Sequence, residues 1–447
     1  MPRFTADWAM LDDGFAPDVH ITVQDGVISH VSREGGAGER LAGVVLPGMA
    51  DLHSHAFQRV FAGLTAHSGG GGDFWSWRDA MYRAAAGMTP ELYAPVVAYL
   101  GKELLKGGYT SLAEFHYVHR DPAGAPYANP AEMAEAVFAG AAAAGIGLTL
   151  LVGLYETAGF GGAVLSDAQR RFRAGAEEAV DMAAALAAAH GGGVGLALHS
   201  LRAVPPETLE RVMPEFTARH PVAPIHIHVA EQRAEVEACI AANGAPPIAW
   251  LLDNAPVDQR WCLVHATHGM AAELQAAART GAVAGLCPST EADLGDGLFD
   301  LPTWLGAGGA FGIGSDSNVT LDALAELRLL EWGQRLALQR RNVTASADKP
   351  CGRALWQGAA LGGAAACGIA SGRIAAGCRA DLVVLQATPE SAALGPDFAL
   401  DAAVFAAVSR PVRHVMAGGA WVVRDFMHWN ETAIDAAYAA ALKALAA

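Results

Sequence analysis

Four short stretches of this chain carry residues able to hold and use a metal ion: His53-Ser54-His55, His226-Ile227-His228-Val229-Ala230-Glu231, Leu263-Val264-His265 and Gly312-Ile313-Gly314-Ser315-Asp316. Residues two apart in an extended segment point to the same side, so His53 and His55 can face one ion. An H-x-H pair alone is a weak signal, and a single histidine at a strand end is as readily a hydrogen-bonded rim residue. Four stretches in chain order, each ending an apolar run with a ligand-type residue, carry more weight together. His53, His55, His228 and Asp316 supply three imidazoles and one carboxylate, a donor set suited to one catalytic Zn²⁺ that keeps a position for water. Fe²⁺ and Mn²⁺ also accept such N/O sets. His228 is preferred to His226 as the ligand because it lies nearer the end of its run and stands three residues before Glu231. His226 is expected to be buried behind the ligands.

Something must bring these stretches together. Candidate strands fall at 43–46, 111–114, 148–152, 195–198, 224–229, 262–265, 282–286 and 310–314, separated by Ala/Leu/Glu-rich helical stretches. Eight such alternations predict a parallel (β/α)₈ TIM barrel, in which the C-terminal ends of the strands carry the active site. Barrel hydrolases that bind two metals commonly bridge them with a modified lysine on a middle strand. No lysine occurs here between Lys106 and Lys349, which favours one ion. Both ends of the chain read as β structure. Runs 19–23 and 27–31 alternate around Asp25-Gly26, a strong hairpin signal. Runs 414–416 and 421–423 flank Gly418-Gly419 and follow the strand-like run 380–385. The expected organisation is therefore α/β, with a β-rich accessory domain from residues 1–46 and 372–447 around a barrel at 47–371. The Ala-rich segment 431–447 is expected to form a helix on the surface.

With 52% hydrophobic and 17% charged residues among 447, the chain can build a large core, and disorder is not expected. A net charge of −16 weighs against a nucleic-acid partner. An anionic substrate must then be captured by locally placed arginines. The six cysteines are scattered without a C-x-x-C pair and read as free thiols of a reducing compartment. The start, MPRFTADWAM, lacks the basic-then-apolar pattern of a signal peptide, and the Ala-rich run 134–151 reads as a helix leading into a strand rather than a membrane span. A cytoplasmic protein without a membrane partner is expected.

The blocks PGMADLHSH, HIHVAEQ, LVHATH and GIGSDS resemble the amidohydrolase superfamily in its mononuclear deaminase branch. Longer blocks, among them HSHAFQR, DFWSWRDAMYR, GYTSLAEFHYVHRDP, LALHSLRAV, STEADLGDG and LRLLEWGQRL, look like formimidoylglutamate deiminases over roughly residues 46–336. The resemblance implies hydrolytic deimination of N-formimino-L-glutamate to N-formyl-L-glutamate and ammonia in histidine degradation. It implies that a metal-acidified water provides hydroxide near neutral pH, with Glu231 shuttling the proton to the departing nitrogen. Asp316 is expected to ligate the metal and orient the nucleophile. His265 is expected to hydrogen-bond the nucleophile or tetrahedral centre, the alternative being a fourth imidazole on the metal. Substrate contacts map onto Gln58, Arg78, Tyr117, His199 and Arg202. The two arginines suit a small dicarboxylate, since guanidinium groups bind carboxylates in bidentate fashion. Arg202 is expected just past a strand end and Arg78 in the loop after the first strand, where a surface ion pair is its plainer reading. The glycine run 69–72 reads as a lid or a simple connector. Asp293 and Asn318 depart from the family pattern, which often has Asn and His there, and both are expected in loops at the mouth of the site. Relatives are commonly homodimers. The rival reading is a deaminase of a ring amidine (guanine, cytosine or an adenosine derivative), or a hydrolase of a triazine-like ring, which would want a flat aromatic pocket. A non-catalytic structural relative would be marked by lost ligands, and none is missing.

Overall fold

The computed structural model describes residues 1–64, 74–407 and 409–446. Sixteen strands among them form two sheets of eight. The first four are β1 (Arg3–Leu11), β2 (Gly14–Gln24), β3 (Val27–Ser32) and β4 (Glu39–Pro47). The barrel strands are β5 (Met49–Ser54), β6 (Tyr109–His116), β7 (Gly147–Leu154), β8 (Val194–Ser200), β9 (Ile225–Val229), β10 (Trp261–His265), β11 (Val283–Leu286) and β12 (Ala310–Ile313). The last four are β13 (Leu382–Leu385), β14 (Val412–Ala417), β15 (Ala420–Arg424) and β16 (Met427–His428).

Strands β5 to β12 pair in sequence order, each parallel to the next, as expected of a barrel built from strand–helix repeats. The ring closes by a parallel bridge between Ser54 and Asp316. There the His55 N–H donates to the Asp316 carbonyl at 3.0 Å, and the Asp316 N–H donates to the His53 carbonyl at 2.9 Å. The closure of the barrel thus joins the backbones of three of the candidate ligands. The residues of β9, Ile-His-Ile-His-Val, are all buried, because in a barrel wrapped by helices the lumen and the helix layer each take alternate positions.

The second sheet runs β16-β15-β14-β13-β4-β1-β2-β3, so both ends of the chain build one accessory layer. The expected hairpin is present: β2 and β3 pair antiparallel, with Asp25 and Gly26 at φ 50° and 79°. A second tight turn, Gly418-Gly419, joins β14 to β15. Phe4, Ile21, Val45, Leu382 and Met416 form a core of this layer separate from that of the barrel. The helix Glu431–Leu445 lies along Pro90–Lys106, with Lys106 paired to Glu431 at 2.6 Å.

Two expectations are corrected. The run 43–46 is not a barrel strand but part of β4, paired with β1 and β13 in the accessory sheet. The first barrel strand is β5, so His53 lies within it and His55 one residue past its end. Between the two strands Gly48 donates its N–H to the Asp381 carbonyl at 2.9 Å. A Cβ there would run into the Thr110 and Asp381 side chains, so glycine lets the chain cross from one sheet to the other. Second, Arg78 lies not in a loop but on the helix Phe74–Gly87. The glycine run 69–72 lies outside the described residues.

Candidate active site

Every candidate ligand sits at, or just past, the C-terminal end of a barrel strand. His53 is fully buried, and His55, His228 and Asp316 are 3%, 6% and 5% exposed. The Nε2 atoms of His228 and His53 are 3.1 Å apart, and those of His228 and His55 are 3.3 Å apart. The Asp316 Oδ1 lies 3.5 Å from the Nε2 of both His53 and His55. Nitrogens sharing one tetrahedral zinc at about 2.0–2.1 Å stand roughly 3.3 Å apart.

The outer nitrogens decide what these contacts mean. The Nδ1–H of His55 donates to the Phe115 carbonyl at 3.0 Å, and that of His228 to the His199 carbonyl at 2.7 Å. Each ring then presents a bare lone pair at Nε2, and two lone pairs at 3.3 Å cannot hydrogen-bond. Burial and the neighbouring imidazoles push His53 and His228 well below the usual histidine range, and burial brings His55 down to about 3. Burial pushes Asp316 the other way, up to about 7, with His265 pulling it back. Neutral imidazoles beside a carboxylate that resists ionisation are what a divalent cation would satisfy. The donor set therefore fits a metal.

Beside this centre opens a cavity lined by His55, Gln58, Arg78, Tyr117, His199, Arg202, His228, Glu231, His265 and Asp316 among others. All five residues expected to touch substrate thus share one space with three of the candidate ligands. Gln58 Nε2 donates to the Tyr117 hydroxyl at 3.2 Å. Arg202 approaches Glu231 at 4.0 Å. Burial opposes its charge, while Glu235 and Glu231 hold it protonated. Glu231 follows Ala230, which is left-handed at φ 53°, and its N–H donates to Glu235 at 3.0 Å. His265 Nε2 lies 3.9 Å from Glu231 Oε1 and 3.6 Å from Asp316 Oδ2, and its Nδ1 lies 3.3 Å from Glu291 Oε1. Despite burial, Glu231, Glu291 and Asp316 push His265 up to about 10.

Other residues fall elsewhere. His226 is fully buried and bonds the Ala366 carbonyl at 2.8 Å, away from the four converging donors. Asn318 is not at the mouth: it is fully buried at φ 63°, and its Nδ2 donates to the His55 carbonyl at 2.9 Å. Asp293 is exposed on the short helix Pro288–Leu294. Sequence reasoning missed Tyr82, Tyr155 and Phe172, which line the cavity, as well as Glu235 and Glu291. Glu291 stood inside the STEADLGDG block, and Glu235 stands four residues after Glu231, in the first turn of the helix Arg233–Asn243.

The sequence matches the amidohydrolase family over residues 44–422. The chain belongs to the amidohydrolase family. It is accordingly a hydrolase of carbon–nitrogen bonds, with the metal-type His/Asp groups of an amidohydrolase at the strand ends. It is 49% identical to formimidoylglutamate deiminase of Pseudomonas aeruginosa over 96% of each chain. The crystal structure of an amidohydrolase from Brucella melitensis superimposes with a TM-score of 0.94 at 44% identity, covering 100% of both chains. An adenosine deaminase from Xanthomonas campestris with bound zinc shares the amidohydrolase fold at a TM-score of 0.80 and 21% identity, over 99% of this chain and 98% of that one. Among the described residues no helix is long and apolar enough to cross a membrane, and all six cysteines are free.

Proposed function

We propose that this chain hydrolyses N-formimino-L-glutamate to N-formyl-L-glutamate and ammonia, a step of histidine degradation, with one Zn²⁺ held by His53, His55, His228 and Asp316. The observation that carries the reading is that one cavity gathers three of these donors, His55, His228 and Asp316, with the Glu231 carboxylate and two guanidinium groups, Arg78 and Arg202, while His53 Nε2 stands 3.1 Å behind that of His228. Full-length likeness to a formimidoylglutamate deiminase supports the choice of substrate. A bound divalent ion would supply acidity, lowering the pKa of water toward ~7.

The chain's own residues do the rest. Glu231 takes a proton from the attacking water and delivers it to the terminal nitrogen of the formimino group. It then carries the remaining hydroxyl proton of the tetrahedral centre to the same nitrogen, so that the C–N bond breaks, ammonia leaves and the oxygen stays as the formyl carbonyl. His265, through Nε2, hydrogen-bonds the tetrahedral centre. Arg202 and Arg78 take the two carboxylates of the substrate in charge-assisted pairs, and Gln58, Tyr117 and His199 fix its orientation. The net charge of −16 makes these local cations necessary, because the global field repels a dicarboxylate. Free thiols suit a reducing compartment, and we place the activity in the cytoplasm.

The test is ammonia release from a panel of N-formimino-L-glutamate, N-formimino-L-aspartate, guanine, cytosine and S-adenosylhomocysteine, with zinc supplied. Release from the glutamate compound, with N-formylglutamate as co-product, is the expected result. Release from a ring substrate alone would overturn the assignment of the pocket and leave the metal centre standing.

A further inference from the structure

Three more carboxylates crowd the reacting end of the barrel: Glu235, Glu291 and Asp296. Of these, Glu235 bonds a backbone N–H of Glu231 and Asp296 bonds Gln232, whereas Glu291 reaches the side chain of a residue that faces the cavity. Glu291 is 5% exposed and sits in the first turn of the helix Pro288–Leu294. Its Oε1 accepts the Cys287 N–H at 2.9 Å and lies 3.3 Å from Nδ1 of His265. The backbone hydrogen bond fixes that oxygen, and the fixed oxygen in turn fixes the ring.

The same Oε1 that accepts the Cys287 N–H meets the ring as an acceptor, so the His265 nitrogen facing it carries a hydrogen. The other nitrogen, Nε2, is then the one turned toward Glu231 and Asp316. His265 itself is left-handed at φ 66°, as is Ala266 at φ 49°, so the backbone is strained at the point where the ring is aimed. We propose that Glu291 is the positioning residue for His265, holding Nδ1–H away from the cavity so that Nε2 meets the reacting centre. The inference rests on the deiminase reading above for the reaction that it serves. A merely structural Glu291 would cap the turn at Cys287 and leave the imidazole ring free to rotate away from the reacting centre.

The experiment uses the zinc-loaded chain and two variants. Glu291→Gln keeps an oxygen able to accept both donors; Glu291→Leu removes it. With N-formimino-L-glutamate, Glu291→Leu should lower kcat on the order of 10–100-fold. Its KM should stay within about threefold and its zinc content should be unchanged, and Glu291→Gln should recover most of the loss. In ¹⁵N spectra of histidine-labelled protein, with His265 assigned from its loss in His265→Asn, Nδ1 should carry a hydrogen in the wild type and in Glu291→Gln. An unchanged kcat in Glu291→Leu, or a kcat lost together with zinc, would overturn the proposal. So would a bare Nδ1 in the wild type, a readout that stands even if Glu291→Leu does not fold. If the wild type releases no ammonia from this substrate, the proposed function fails, while the spectrum still decides what Glu291 does to His265.

Discussion

The accessory sheet and the open end of the barrel use the same strained backbone for different ends. In the accessory sheet three left-handed pairs, Asp25-Gly26, Gly418-Gly419 and Asp425-Phe426, each reverse a hairpin, and Asp18 is left-handed within β2. In the barrel five of them, Ala230, His265, Ala266, Asp316 and Asn318, lie at or just past strand ends. For a residue with a Cβ this conformation costs about 1–2 kcal/mol. The first set turns the chain; the second aims side chains. Their polar groups differ in the same way. The buried Asp381 of the accessory layer takes hydrogen bonds from Gly418, Ser371 and Arg379, at 2.7–2.8 Å. At the barrel mouth, lone pairs of His55 and His228 face each other with no hydrogen between them. One region is closed on itself, whereas the other is arranged around something the chain does not supply.

Removing a converging donor should break that contrast most completely. His55→Ala is expected to take zinc from one per chain to near none and to abolish ammonia release, with the far-ultraviolet circular dichroism retained. Full activity with stoichiometric zinc would mean that His55 is not a ligand. Next in size is Glu231→Gln, which keeps shape but loses the base. Turnover should fall on the order of 10²–10⁴-fold, the usual worth of general acid–base help, while metal analysis still finds one zinc. Retained turnover would remove Glu231 as the proton carrier.

How much of this was legible depends on where each residue's partners lie. Seven of the barrel strands stood out because their runs are largely apolar and most end in, or just before, a His, Glu or Asp. The eighth was misplaced: the run 43–46 within β4 is as apolar as a barrel strand, and only Gly48, where the chain crosses from one sheet to the other, separates β4 from β5. The helical setting of Arg78 was hidden by the glycine run before it. Asn318 and Glu291 were harder still. Asn318 bonds His55 from 263 residues away, and Glu291 bonds His265 from 26 away. Neither spacing leaves a periodic trace, so contacts of this kind are visible only once the strands are assembled.

A smaller effect should sharpen the line between binding and chemistry. Arg202→Ala is expected to raise KM for the dicarboxylate roughly 10–100-fold, the worth of a charge-assisted hydrogen bond of about 1.5–3 kcal/mol. kcat should move far less, because the substrate carboxylate is held equally in the ground and transition states. Steady-state kinetics on N-formimino-L-glutamate decide it. An unchanged KM would take Arg202 out of carboxylate binding and leave its contact with Glu231 as its role.

The least effect on turnover should come from the accessory sheet. Asp381→Ala deletes the acceptor of three donors at a residue 1% exposed, so unfolding in denaturant should need on the order of 2–4 kcal/mol less. The Asp381 carbonyl that receives the Gly48 N–H at 2.9 Å is backbone and survives the substitution. Since Gly48 leads directly into β5, and β5 carries His53, that surviving bond is what should keep the metal end in register. kcat and KM should therefore stay within about twofold of the wild type at temperatures where the variant is folded. A fall in kcat without loss of zinc would mean that the accessory layer tunes the site through β5, and that the two regions are one mechanical unit.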